Sequence, residues 1–446
     1  MNAVNADRTI AVTHRVKLTE AGEARPTLVS VSNGVNLTQI ELMTEQDELD
    51  FVNGVWPTGY RKATPADKPA DFRPWHQKWQ GLSSKGKSIT YVGQKKHEED
   101  ILYQVPSGYD GLRSGDTIIM ALGGSGDRLA AAMARQLSTM SGMVCRIAPW
   151  AIKDTAGSEM TQNEALFLLW EMDADRFYMI DDPELKRIAV REAYENRREA
   201  QLARMGCGQR LLQREIGKIF LHGNLQREVS LEDSFESIHA NSPIMEALIK
   251  EENQANRLLD RAVKDSPIWQ VFEPVEGVGP AIAGALIAAI GDIRRFATYQ
   301  KLFAFSGLHP LSRDGKKFAP GDTRMGGDSI FPRRRRGQLS NWNQFAKQAF
   351  FLLGDQFNRR PQSYWGTKLR QNKIILRQQY PEVVVTEQGK KRYTDGHIHK
   401  LATWKTIRQF ARWLYRAWTN LENGKPVKFP VMPVAEVGSS VEKLAA

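Results

Sequence analysis

The chain has 446 residues, with 62 Lys and Arg against 51 Asp and Glu and a net charge of +11. Two cysteines, Cys145 and Cys207, are too few for a disulfide framework and fit a reducing compartment. The longest strongly apolar run, Ala281 to Ile290, is half a membrane span, and the polar start (Asp7, Arg8, Arg15) is unlike a secretory signal. A cytoplasmic protein without a membrane partner is therefore expected.

The charge is segregated. From Val271 onward lie 29 basic and 13 acidic residues, a balance of +16, whereas the first 270 residues balance at −5. A basic half joined to a mildly acidic half is the asymmetry of a chain that holds a polyanion with one half. Nucleic acid is the partner that this pattern favours.

In chain order, residues 1 to 25 read as a loose start and Thr27 to Leu37 alternates like a strand. The proline-containing stretch from Thr58 to Gly86, with Trp75 and Trp79 among charges, reads as loop or insertion. Ser88 to Val92 and Thr117 to Leu122 read as buried strands. The turn Gly123-Gly124-Ser125-Gly126 follows, then a helix from Asp127 to about Met140 and a strand from Met143 to Ile147. Strand, turn, helix and strand make a βαβ unit, so an α/β domain with a mixed sheet is expected over residues 1–165. The glycine turn lacks the Gly-Lys-Ser/Thr ending of a P-loop and the third spaced glycine of a dinucleotide fingerprint.

Beyond Gln162 the pattern is helical. Asp182-Pro183 opens a long charged helix running to about His222, and Ser242 to Val263 forms a second. Two amphipathic helices with polar outer faces predict an antiparallel coiled-coil stalk over 166–268, a common dimerisation device. A homodimer is expected on that ground.

The third segment, 269–430, is expected to be an all-α basic domain. It opens with Glu276-Gly277-Val278-Gly279-Pro280, then the small-residue run from Ala281 and Gly291-Asp292-Ile293-Arg294-Arg295-Phe296. This reads as a helix-hairpin-helix, whose glycine amides and helix N-terminus suit a phosphate. Its alternative reading is a close-packed helical pair joined by a glycine turn. Further on, basic residues interleave with aromatic ones, from the Arg333-Arg334-Arg335-Arg336 block to Trp342, Phe351 and Trp365, and then to Gly396-His397-Ile398-His399-Lys400 and a helix with Trp404, Trp413 and Trp418. Cationic side chains neutralise phosphates and flat ones stack on bases, although aromatics at helical spacing also build cores. Residues 431–446 are expected to be a disordered tail.

Val275 to Phe296, continuing to Ser306-Gly307-Leu308-His309-Pro310, resembles the C-terminal domain of the DEDD-type insertion-sequence transposases guided by a bridge RNA. The unit from Thr117 to Ile147 is similar, more weakly, to the middle of that family's RuvC-like domain. The resemblance implies catalytic acids on the opening strand, before the glycine turn and in an Asp-x-x-Asp-Ala element. Pro26 to Ile40 and Met120-Ala121-Leu122 hold no carboxylate, and Thr161-Gln162-Asn163-Glu164-Ala165 keeps one acid of two. The family's recombinase Ser-Gly pair falls on Asp314-Gly315, with Ser312 nearby. The N-terminal domain is thus expected to be a degenerate RuvC-like domain with no catalytic or metal-binding residue, Mg²⁺ being implied only if the chain is an active transposase.

The chain also resembles the Tas proteins of tandem-interspaced-guide-RNA (TIGR) systems of the nuclease-lacking type, which share a Nop-like RNA-binding domain with box C/D ribonucleoproteins. That resemblance implies a guide RNA as partner and DNA as target, with no other cofactor. The residues expected to hold nucleic acid are Gly277, Gly279, Lys316, Lys317, Arg324, Arg333, Arg334, Arg335, Arg336, His397, His399, Lys400, Lys405, Arg408 and Arg412. The alternatives are a bridge-RNA-guided transposase or recombinase, and an architectural box C/D-like RNA-binding protein.

Overall fold

The structure is a computed structural model that describes residues 8–15, 25–34, 36–83, 85–93, 100–157, 160–221, 230–309, 342–385, 389 and 391–430. The chain divides into two compact units, Met1–Asp181 and Asp182–Ala446.

The first unit contains, in order, β1 (Thr9–Thr13), β2 (Thr27–Ser32), β3 (Leu37–Leu42), α1 (Glu45–Val52), β4 (Trp56–Lys62), β5 (Lys78–Leu82), β6 (Ser88–Val92), β7 (Ile101–Asp110), β8 (Thr117–Ala121), α2 (Asp127–Ser138), β9 (Met143–Ile147), α3 (Pro149–Ala156), α4 (Gln162–Met172) and β10 (Tyr178–Met179). A six-stranded mixed sheet runs β10-β9-β8-β1-β2-β3. Its parallel core is β1 with β8 and β8 with β9, and β1 also pairs antiparallel with β2. The expected βαβ unit is therefore present as β8, α2 and β9.

Several expectations for this unit need correction. The supposed loose start holds β1, where Ile10, Ala11 and Val12 are buried at the centre of the sheet. The single strand expected over Thr27 to Leu37 is instead two strands, β2 and β3, paired antiparallel, and the Asn33 side chain accepts from the Asn36 amide at 2.8 Å between them. The stretch taken as loop supplies β4 and β5 of a second, antiparallel sheet, β4-β7-β5-β6. Its one strongly buried aromatic, Trp79, faces inward, while Ser88–Val92 forms an exposed edge strand rather than a buried one. The boundary expected at 165/166 falls within α4, which packs against β1 and β8 through Ala165, Leu166 and Leu169.

The second unit contains α5 (Asp182–Leu221), α6 (Leu231–Ala240), α7 (Pro243–Asp265), α8 (Trp269–Phe272), α9 (Pro280–Ile290), α10 (Tyr299–Phe305), α11 (Gln344–Arg359), α12 (Tyr364–Gln379), β11 (Val384–Val385), β12 (Lys391–Arg392) and α13 (Asp395–Glu422). The short β11–β12 ladder departs from an all-α expectation. The two long helices form as expected and pack antiparallel: Arg197 Nε donates to Asn256 at 3.0 Å, Arg204 pairs with Glu252, and Gly208 faces Met245. The hairpin is less regular than expected, since only the four-residue α8 precedes the glycine turn. α9 is almost entirely apolar, and a Cβ on Gly284 would lie 2.8 Å from Leu259 Cδ1 of α7. Small residues thus bring α9 close to α7, and the core continues through Phe350, Phe357, Phe410 and Trp418 of α11 and α13.

A buried ion network ties three parts of this unit together. Arg187 of α5 pairs with Glu184, with Asp292 after α9, and with Glu422 of α13 at 2.9 Å. Arg294 pairs with Glu184 and holds Asp292 at 2.7 Å. Burial alone would raise the pKa of Asp292, but the Arg187 charge and the Arg294 hydrogen bonds outweigh it and hold it at about 2.

Candidate nucleic-acid interface

The glycine turn is the first element of the candidate interface. Gly277 has φ +90°, a conformation glycine adopts without Cβ strain. The amide of Val278 is spent on Val275 O at 3.0 Å, whereas those of Gly277 and Gly279 donate to no described residue. Gly279 then caps α9, with Pro280 at the first helical position and no side-chain cap. Such a helix start favours an anion through its backbone dipoles.

Cations outside the residues expected to hold nucleic acid lie near this turn and the start of α9. Arg360, at the end of α11, lies against Gly277, its Nη1 3.3 Å from the position of a Cβ there. A surface groove of about 700 Å³ runs beside the start of α9, lined by Asn256, Arg257, Asp260, Arg261 and Lys264 of α7 together with Pro280 and Ala281. Lys264 is held by Asp260 at 2.8 Å, while the exposed Arg257 and Arg261 make no ion pair among the described residues. Their spacing of four residues on a polar helix face was the available sequence signal.

α13 supplies the second element. Lys405, Arg408, Arg412 and Arg416 recur at three- and four-residue steps and so share one stripe of the helix. Ile407, Phe410, Leu414 and Trp418 fill the buried face. Arg412 lies over the Tyr299 ring of α10 at 4.9 Å. Arg408 is half-buried, its Nε has no hydrogen-bond partner among the described residues, and burial lowers its pKa. A guanidinium desolvated without a carboxylate gains from an anion brought to it.

The other expected residues fall out differently. Lys400 is exposed but lies off the stripe. His397 and His399 stand inside the first turns of α13, which starts at Asp395, instead of leading into it. His397 Nδ1 accepts the Tyr393 amide at 2.9 Å and its ring stacks on Tyr393, a packing role. Burial, helped by Lys373, lowers the pKa of His399. Most aromatics of this unit serve the core: Trp365, Trp404 and Trp418 are buried. Lys316, Lys317, Arg324 and Arg333 to Arg336 lie outside the described residues, as do Ser312, Asp314 and Gly315.

In the first unit, neutral groups meet between β1 and α4. The Thr13 hydroxyl donates to Asn163 Oδ1 at 2.6 Å, and the buried Asn163 amide donates to Ser30 Oγ at 2.9 Å. Glu164 points elsewhere: it closes a capping box with Thr161, whose backbone and hydroxyl hydrogen bonds lower its pKa. Among the described residues no three His, Cys, Asp or Glu side chains are grouped to hold a metal ion. No described helix is long and apolar enough to cross a membrane.

No curated protein matches this chain. Residues 270–328, which begin within α8, take in the glycine turn, α9 and α10 and run on past His309, match the model of the family described as "Transposase IS116/IS110/IS902 family", and relate this part of the chain to IS110-type transposases.

Proposed function

We propose that the chain binds a guide RNA along its basic C-terminal half and uses it to pair with DNA, without a nuclease of its own. The observation that carries this reading is the α13 stripe, with the half-buried Arg408, whose Nε has no hydrogen-bond partner among the described residues, at its centre. The glycine turn, whose Gly277 and Gly279 amides have no partner among the described residues, adds a second grip on the backbone together with Arg360. Neither element reads bases, so sequence specificity falls to base pairing. In this account the first unit is a degenerate RuvC-like scaffold, the α5–α7 pair is a coiled-coil stalk, and the second unit is Nop-like.

The stalk also supports a homodimer, since Leu202 and Met205 of α5 and Ile249 and Leu258 of α7 expose large apolar side chains. The absence of a nuclease rests on the neutral Thr13–Asn163 pair, because a RuvC-like site needs converging carboxylates on a divalent metal.

The second reading, a bridge-RNA-guided transposase, is favoured by the family match over residues 270–328. One experiment separates the two. The protein, purified with its RNA, is given complementary DNA with and without Mg²⁺. Capture of intact DNA under both conditions is expected; Mg²⁺-dependent strand cleavage or joining would establish the transposase instead.

A further inference from the structure

The turn entering α2 gathers side chains that nucleic-acid binding does not use. Gly123 and Gly124 have φ of +82° and +87°, and Ser125 behind them is exposed. A Cβ on Gly126 would lie 3.2 Å from the Cβ of His14, so glycine lets this turn close on the end of β1. His14 Nδ1 then stands 2.9 Å from Ser125 Oγ, and its Nε2 stands 3.5 Å from Glu48 Oε1. Glu48 is buried and fixed by the Thr27 hydroxyl, which donates to the same oxygen at 2.6 Å, while Arg15 Nε lies 3.4 Å from it. Thr27 is itself held by the Arg15 amide at 2.9 Å. A hydroxyl, an imidazole and an anchored carboxylate thus follow one another, drawn from three separate stretches of chain.

We propose that Ser125, His14 and Glu48 form a nucleophilic relay that hydrolyses small carboxylic esters. Ser125 Oγ bonds to the ester carbonyl carbon as its proton passes to His14 Nδ1. The carbon–oxygen bond to the alcohol breaks, and the departing alkoxide takes that proton. Water, deprotonated by His14 in the same way, then attacks the acyl-serine and releases the carboxylic acid and free Ser125. Glu48 is a positioning residue: its Oε1, 3.5 Å from Nε2, offers a negative charge on the side of the ring away from Ser125 and favours the imidazolium that forms when Nδ1 takes the proton. α2 starts two residues after Ser125, at Asp127, with no side-chain cap at Gly126; the Asp127 carboxylate is paired with Arg146 at 2.8 Å, and the backbone dipoles of this helix start favour the oxyanion. Burial lowers the pKa of His14 against the opposing Glu48 carboxylate; the Arg15 charge also lowers it, while a hydrogen bond to the Arg15 backbone and the Asp127 charge raise it. The imidazole is therefore neutral at pH 7 and able to accept the proton.

The test treats the full chain with a fluorophosphonate probe, maps the modified serine by mass spectrometry, and follows p-nitrophenyl acetate hydrolysis. Labelling of Ser125 is expected, with turnover lost in Ser125→Ala and reduced about 100-fold in His14→Gln. In Glu48→Gln the acidic limb of the rate–pH profile moves to lower pH, because the carboxylate that raises the His14 pKa is gone. Ser125→Ala alters an exposed side chain and keeps the fold, so its loss of turnover reports chemistry. No label on Ser125, or equal labelling in His14→Gln, overturns the proposal; an unmoved limb removes Glu48 from it.

Discussion

Arg187 and Asp292 show what a single side chain contributes here. Both are almost fully buried, and each satisfies charges on other elements, so truncating either leaves unpaired charge in the core. Arg187→Met is expected to cost about 3–5 kcal/mol in denaturant unfolding. Asp292 adds a pH dependence of defined sign. Its folded pKa of about 2 lies below the ordinary Asp value, so its stabilisation is complete above about pH 4 and fades as pH falls toward 2. Acid titrations of Asp292→Asn should show a shallower loss across that window than the parent chain. On the α13 stripe the readout is salt instead. Arg412→Gln should lower RNA affinity and reduce the log–log salt slope by about one, and an unchanged slope would place Arg412 off the phosphate path.

At the scale of elements, the joints matter more than the helices. Gly366 lies in the first turn of α12, where a Cβ would come within 1.9 Å of Arg360 O and 2.9 Å of Phe357 O. Gly366→Ala must therefore move α12 off the end of α11, and a loss of at least about 1–3 kcal/mol is expected in thermal or denaturant melts. Gly277→Ala strains the turn through its positive φ and its contact with Arg360, so it should weaken RNA binding more than it lowers stability.

The elements that were legible in the sequence are those whose signal is local. α5 and α7 announce themselves by charge and periodicity, α9 by its small apolar run between glycines, and β8-α2-β9 by two apolar runs around a glycine turn. β1 was missed because five residues, Thr9 to Thr13, carry too little pattern to show a strand whose burial comes from neighbours distant in sequence. The candidate site was legible only in part for the same reason. The lysines and arginines of α13 can be read from their spacing. That His397 is committed to Tyr393, or that Arg360 lies against Gly277, depends on packing that no local pattern encodes. The Ser125–His14 contact joins residues 111 apart.

The whole molecule has an α/β unit with neutral groups between β1 and α4, and a helical unit whose basic surface, in the proposed function, holds a specific guide RNA. The most direct test is to purify the protein from cells carrying its native locus and sequence the RNA that accompanies it. The account predicts one discrete small RNA, enriched over total RNA, lost when Lys405, Arg408, Arg412 and Arg416 are replaced together by Gln, and encoded beside the gene. An RNA profile matching that of the surrounding cell, unchanged by those substitutions, would contradict it.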